Sequence, residues 1–285
     1  MKKLVVISGK GGTGKTTVVG GLALLAKDKI LVDCDVDASN LPLIFNTKPK
    51  KREPFYGSLL PVVDLTLCNK CGICERECPS DAISEKNQIN PLRCEGCGVC
   101  AFSCPEKAIN MVPRLSGEII EAETDSAPLI YGELAPGEET SGKLVTAVRK
   151  RAEEEAEKVS AKLMIIDGAP GIGCPVIASL TGVDQALVIT EPTLSGIHDL
   201  DRVIGVAGHF RIKSAVAINK YEVNRKLAGE IEKYCAKEGL PLIGRLPYDE
   251  TAYQAVVAGK SIMEFPESPL AKAIVNLWRE LQAIL

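Results

Sequence analysis

Apolar residues gather in short unbroken runs at 4–7, 30–32, 163–166, 186–189 and 215–218, with a run broken by Gly244 and Arg245 at 242–246, most of them followed by Asp, Asn or Pro. Such runs predict strands covered on both faces. Between them, 18–25 reads as a helix, and so does 142–158, with Leu144, Val145, Val148, Ala152, Ala156 and Val159 on one side. Residues 118–124 and 129–134 predict a β ribbon or edge pair. The end of the chain, 269–285, is amphipathic through Leu270, Ile274, Leu277, Trp278, Leu281 and Ile284, and predicts a helix packed on the core. Strands alternating with helices predict an α/β fold, a doubly wound and mostly parallel sheet.

The bulk properties narrow the partners. At 285 residues there is room for one large α/β domain and a small one. A net charge of −3 and only 4% aromatic residues leave neither a basic field nor stacking platforms for nucleic acid. No apolar run approaches the roughly 20 residues that span a bilayer. The terminal helix carries only Lys272 and Arg279 as bases, offset by Glu280, so membrane binding is not expected either. Met1-Lys2-Lys3 mimics a signal peptide, but Ser8-Gly9-Lys10 ends it too soon, and a cytoplasmic protein is expected.

The first strand runs into Lys10-Gly11-Gly12-Thr13-Gly14-Lys15-Thr16-Thr17 and then a helix. Strand, glycine-rich turn, Lys-Thr and helix is the phosphate-binding arrangement. Its glycines let backbone N–H groups turn toward an oxyanion, Lys15 reaches the terminal phosphates, and the Thr16 hydroxyl faces Mg²⁺. A second acidic signal follows at 163–167, a buried strand ending in Asp167, suited to holding Mg²⁺ and its water.

Eight of the eleven cysteines lie between 68 and 104. Cys68-x₂-Cys71-x₂-Cys74-x₃-Cys78-Pro79 recurs as Cys94-x₂-Cys97-x₂-Cys100-x₃-Cys104-Pro105, with Ala-Ile repeated after each. A disulfide scaffold would not pair them so regularly. Zinc also uses Cys-x₂-Cys pairs, but two triple runs each closed by Cys-Pro suit iron–sulfur cubanes better. Ile73, Ile83, Val99 and Ile109 are the candidate small core of this segment. It is bounded upstream by Lys48-Pro49-Lys50-Lys51-Arg52-Glu53-Pro54, which reads as a basic linker. The expected domains are therefore 1–60 with 114–285, and an α+β insertion at 61–113.

The early lysine in Gly9-Lys10-Gly11-Gly12 resembles the deviant Walker A motif of the MinD/ParA superfamily, which includes Mrp-type ATPases and the nitrogenase iron protein. The resemblance covers nearly all the chain outside 61–113. It implies that Lys10 reaches a nucleotide held by a second subunit, that Asp35 in Asp33-Cys34-Asp35 orients water, and that Gly168-Ala169-Pro170-Gly171 responds to the γ-phosphate. It also implies that Asn219 reads the adenine edge and that Pro247-Tyr248-Asp249 closes over the base. Asp37 is expected to cap a turn, Cys34 to pack in the core, and His198 to sit in a helix cap region. The 61–113 segment resembles a bacterial two-cluster ferredoxin. By that resemblance Cys68, Cys71, Cys74 and Cys104 hold one [4Fe–4S] cluster, and Cys94, Cys97, Cys100 and Cys78 the other.

Cys174 lies seven residues after Asp167, the spacing of a cluster ligand in the nitrogenase iron protein. No cysteine occurs at 105–166 to act as its upstream partner, so a buried thiol is expected there. The implied protein is a dimerising Mg-ATPase coupling nucleotide state to two [4Fe–4S] clusters and to electron transfer with a partner. The alternatives are a cluster or metallocofactor assembly factor, or a MinD-like spatial organiser with a redox-sensing ferredoxin.

Overall fold

The computed structural model describes every residue, Met1–Leu285. Eleven strands form in chain order: β1 Lys2–Ser8, β2 Lys29–Asp33, β3 Lys48–Phe55, β4 Ser58–Val63, β5 Ile109–Arg114, β6 Gly117–Glu123, β7 Pro128–Leu134, β8 Leu163–Pro170, β9 Gln185–Thr190, β10 Lys213–Ile218 and β11 Leu242–Arg245. Nine of them make one sheet in the order β11-β10-β9-β1-β8-β2-β7-β6-β3. From β11 across to β7 each neighbouring pair runs parallel. The predicted α/β class with a mostly parallel sheet is what the chain forms.

Both faces of the central strands are covered, which is why their sequences are apolar without interruption. Leu4, Val6, Leu31, Ile165, Leu187 and Ala217 pack with Val18, Leu22, Ile274, Leu277 and Leu281 from the helices Lys15–Leu25 and Pro269–Ile284. The alternate positions Val5, Ile7, Val32, Ile166 and Val188 are equally buried and turn to the opposite side. There the helices Ser141–Lys158, Cys174–Leu180 and Leu194–His209 cover them. The terminal helix thus packs on the core, as its apolar stripe predicts. No helix is long and apolar enough to cross a membrane.

Two compact units divide the chain. One comprises Met1–Arg52, Ile119–Glu133 and Ser141–Leu285; the other comprises Glu53–Glu118 and Leu134–Thr140. In the second, β4 and β5 form an antiparallel ribbon, and the two cysteine runs each bend into a one-turn helix, Ile73–Arg76 and Val99–Phe102. Its apolar centre is Cys74, Ile83, Cys100 and Ile109. Val99 is instead 37% exposed, because the short helix turns Cys100 inward and Val99 outward.

The basic stretch 48–54 is also not a linker. It is β3, the outermost strand of the large sheet. Lysines and prolines on a terminal strand blunt an otherwise sticky edge, and the same composition reads as linker when no partner strand is visible. Val159 lies beyond the end of its helix and is exposed.

Where Lys15–Leu25 crosses Pro269–Ile284, a glycine permits the close approach. A Cβ on Gly21 would lie 2.9 Å from Ile274 Cγ2 and 3.1 Å from its Cδ1. Ile274→Ala should cost about 2–5 kcal/mol and Gly21→Val about 1–3 kcal/mol in urea unfolding. Because the two side chains meet, the double variant should lose less than the sum.

Candidate functional site

β1 ends at Ser8, and the loop that follows has Gly12 at φ 77° and Gly14 at φ 84°, left-handed values that favour glycine. Gly14 caps the helix beginning at Lys15, leaving its first N–H groups free for an anion. Ser8 Oγ donates to Lys10 O at 2.8 Å, and Gly171 N donates to Ser8 O at 2.9 Å. The second bond ties the loop after β8 to the phosphate loop. A cavity of about 540 Å³ opens over this turn, at the carboxyl ends of the strands. Its wall includes Gly11–Thr17, Asp35, Asn219, Pro247 and Tyr248, so most of the predicted nucleotide residues face one space.

Lys15 and Asp167 form a buried ion pair beneath the loop. Register brings them there: Val6 pairs with Asp167, and Asp33 of β2 pairs with Asp167 on its other side. Burial works against the Lys15 charge, but Asp167, with Asp33 and Asp35 farther off, holds the ammonium above its usual value. Burial and the Asp167 carboxylate push Asp33 up to about 8. Burial also raises Asp35, against the pull of Lys15. Asp167 Oδ2 and Thr13 Oγ1 are buried with no hydrogen-bond partner. Such orphaned oxygens beside a phosphate loop fit Mg²⁺, its water and a phosphate, with Thr16 and Asp167 as the residues to hold the ion.

Asp33, rather than Asp37, orders the acidic loop. Its Oδ1 accepts from Asp35 N and its Oδ2 from Leu41 N, each at 2.9 Å, whereas Asp37 is exposed. The strand end points Asp33 inward under the turn, a placement that only the sheet defines.

Lys10 turns away from the cavity. Its ammonium lies 2.6 Å from Glu191 Oε1 and 3.1 Å from Ser195 Oγ. Glu191 also pairs with Lys220 at 3.0 Å, and Lys220 Nζ reaches Gly12 O at 3.4 Å. Burial opposes the Glu191 charge, yet the two lysines hold its carboxyl below the usual value. Asn219 Nδ2 donates to Thr13 O at 2.8 Å. Glu191 and Lys220 are not singled out by sequence; the available signal is that Glu191 directly follows β9 and Lys220 stands two residues past β10, where loops after buried parallel strands carry function.

The eight cysteines line two small voids. One is walled by Cys68, Cys71, Cys74 and Cys104, the other by Cys78, Cys94, Cys97 and Cys100. Each void therefore takes three thiols from one run and the last from the other. Ala82 N donates to Cys78 Sγ and Ala108 N to Cys104 Sγ, each at 3.3 Å. Burial opposes ionisation of Cys78, but the backbone N–H groups of Ala82, Ser80 and Ile83 and the Ser80 hydroxyl hold its thiol below the usual value. No three His, Cys, Asp or Glu side chains converge closely enough to hold a single ion.

The remaining cysteines separate by burial. Cys34 and Cys235 are buried, and Cys34 is pushed up to about 12 by desolvation. Cys174 is exposed, contrary to the buried thiol expected there. It is the first residue of its helix, with Pro175 next, and the buried face belongs to Val176, Ser179 and Leu180. His198 is exposed too, and the cap of its helix is Thr193, which accepts from Gly196 N at 2.9 Å.

A phosphate loop over a buried lysine at the carboxyl edge of a parallel sheet defines a P-loop nucleotide-binding protein. The family model for the CobQ/CobB/MinD/ParA nucleotide-binding domain matches residues 4–262, and the chain belongs to that family. An uncharacterised protein of Methanocaldococcus jannaschii is 36% identical, the match covering 99% of this chain and 97% of its own. The iron-sulfur cluster carrier protein of Pyrococcus furiosus is 24% identical, over 98% of this chain and 85% of its own. The crystal structure of the Pyrococcus furiosus cell division ATPase MinD shares the fold at TM-score 0.61 and 19% identity, covering 100% of this chain and 99% of that one.

Two outcomes follow from the charges. Asp167→Ala leaves Lys15 buried without its partner and should cost about 3–5 kcal/mol in denaturant unfolding without nucleotide. Glu191 has a folded value below its ordinary 4.5, so its pairs stabilise fully above 4.5 and fail as pH falls through the lowered value. Thermal unfolding of Glu191→Gln against the parent should show a constant gap from about pH 7 to about pH 5, closing in stronger acid.

Proposed function

We propose that this protein is a dimerising Mg-ATPase that carries two [4Fe–4S] clusters and couples its nucleotide state to one-electron transfer between protein carriers. The observation that carries this reading is the division of eight cysteines into two four-thiol voids in the same chain as a phosphate loop. Four thiols with N–H donors at sulfur suit a cubane, and interleaved runs match a two-cluster ferredoxin. When bound, the clusters supply one-electron redox chemistry.

The chain's own residues then divide the nucleotide work. Lys15 exchanges Asp167 for the terminal phosphates, and Thr16 and Asp167 hold the metal. Asp35 orients water for attack on the γ-phosphorus as the bond to the leaving oxygen of ADP breaks. Lys10, released from Glu191, neutralises phosphate oxygens in the partner protomer's site. Asn219, Pro247 and Tyr248 surround the base.

Chain continuity supports the coupling. Ser39 Oγ donates to Gly132 O on β7 at 2.9 Å, beside the acidic loop. β7 continues into 135–140, where Glu138 pairs with Arg114 at 2.5 Å, and Arg114 donates to Cys94 O at 3.2 Å. Glu138 and Cys94 thus meet on Arg114 within the second unit, which the chain enters directly from β7.

A second reading is delivery of clusters to another protein. It is favoured by the similarity to a protein named as an iron-sulfur cluster carrier.

The test is a redox titration by EPR on anaerobically purified protein, with and without Mg-ATP. The redox reading expects about eight iron atoms per chain, retained against chelator, with cluster potentials that move when nucleotide binds. Glu138→Gln should shrink that movement while leaving Mg-ATP affinity intact. Clusters that chelator or an apo-acceptor strips readily, with potentials indifferent to ATP, favour delivery and defeat the redox reading.

A further inference from the structure

The two cysteine runs repeat at an offset of 26 residues (94 − 68 = 26), which carries Cys68 to Cys94, Cys78 to Cys104, Ala82 to Ala108 and Ile83 to Ile109. Backbone donation follows the same symmetry, from Ala82 to Cys78 and from Ala108 to Cys104 at an equal 3.3 Å. Two side chains break it: the Ser80 hydroxyl, 3.7 Å from Cys78 Sγ with Glu106 as its counterpart, and, at the other void and closer, Asn87. Asn87 lines the void of Cys68, Cys71, Cys74 and Cys104, and its Nδ2 donates to Cys68 Sγ at 3.5 Å. Its Oδ1 lies 3.7 Å from Cys74 Sγ. The residue 26 positions later is Pro113, which has neither a polar side chain nor an N–H.

The local folding explains why only one void has this donor. After Ile83 the chain doubles back, with Ile83 bridging Ile89, Asn87 N donating to Ser84 O at 2.8 Å and Ser84 N to Gln88 O at 3.0 Å. The reversal needs a left-handed residue, and Asn87 supplies it at φ 57°. That turn delivers its amide to the sulfurs. After Ile109 the chain instead enters β5 and pairs with β4, so the second void is walled by Pro61 and Met111. The nearest side-chain donor there is the Ser80 hydroxyl, at a longer 3.7 Å from Cys78 Sγ.

We infer that Asn87 sets the two clusters apart in potential, by donating an N–H···S bond to the cluster of Cys68, Cys71, Cys74 and Cys104 that its twin lacks. This rests on the two-cluster reading above. A donor at sulfur stabilises the extra negative charge of the reduced cluster, so it raises the potential of that site. An electron from a chemical reductant therefore settles first on the Asn87 side. Two clusters of one repeat become an ordered pair, with a donor-facing and an acceptor-facing end, through one turn residue. Asn87 touches a ligand sulfur and no reacting substrate; it is a tuning residue.

The experiment is an anaerobic dithionite titration of the full-length protein, followed by EPR, on the parent and on Asn87→Gly. Glycine keeps the left-handed turn and removes the amide. The parent should reduce in two separated steps. In Asn87→Gly the higher step should fall by about tenfold in its equilibrium constant, which is 59 mV for one electron, while the other stays. If glycine loosens the turn and iron is lost, Asn87→Asp keeps the side-chain length and replaces the donor with an anionic acceptor, so the same step must fall further. Full iron content with neither step moved, or both moved equally, overturns the inference and leaves the two-cluster reading standing. A parent protein without iron overturns both.

Discussion

A lysine ammonium buried beneath a phosphate loop is the constraint on which the nucleotide site depends. Lys15 is 6% exposed, and a desolvated cation persists only beside anions. Asp167 meets that need directly and Asp33 and Asp35 lie nearby: Asp33 closes β2, Asp167 stands level with it within β8, and Asp35 is in the turn just after β2. Parallel pairing of β1 with β8 and of β8 with β2 is therefore an electrostatic arrangement as well as a stack of apolar residues. With three carboxyl groups around one lysine, the site favours additional positive charge. Burial and its neighbour answer part of this by raising Asp33 to about 8. A phosphate-bound Mg²⁺ would answer it more fully and would leave Lys15 for phosphate.

The same reasoning orders the loops above. Asp33 holds two backbone N–H groups of the turn that carries Asp35, and Gly171 N is bonded to Ser8 O. Loops after two different strands are thus fastened to the phosphate loop or to its counter-ions. Lys10 is outside this set. It is held by Glu191, which shares its carboxylate with Lys220, so a cation at the rim is neutralised within its own chain. In any assembly where Lys10 serves a second nucleotide, that carboxylate must be exchanged for phosphate.

The second unit solves a different problem. Its apolar centre has only Ile83 and Ile109 as fully apolar buried side chains, with Cys74 and Cys100 beside them. A segment this small folds poorly on hydrophobic burial alone and needs staples. Thiols around a void are suited to being bridged by an inorganic cluster, and such a bridge would make the same atoms structural and functional.

Residue spacing alone was enough for the phosphate loop, the buried strands that carry Asp33 and Asp167, and the repeat of Cys-x₂-Cys-x₂-Cys-x₃-Cys-Pro, because each is a local pattern whose chemistry needs those atoms at that separation; β8 runs on past Asp167 to Pro170. The sheet class followed from apolar runs for the same reason. Tertiary structure decided what depends on partners distant in sequence. It made 48–54 an edge strand rather than a linker, since only pairing reveals a strand whose side chains are charged. It exposed Cys174, because the buried face of a short helix is set by what lies beneath it. It joined Lys10 to Glu191, 181 residues later, and it placed the Asn87 amide at one pair of cysteines and not at the other. A periodicity can be read along a chain; an ion pair or an N–H···S bond between separate loops exists only once the sheet and turns have brought them together.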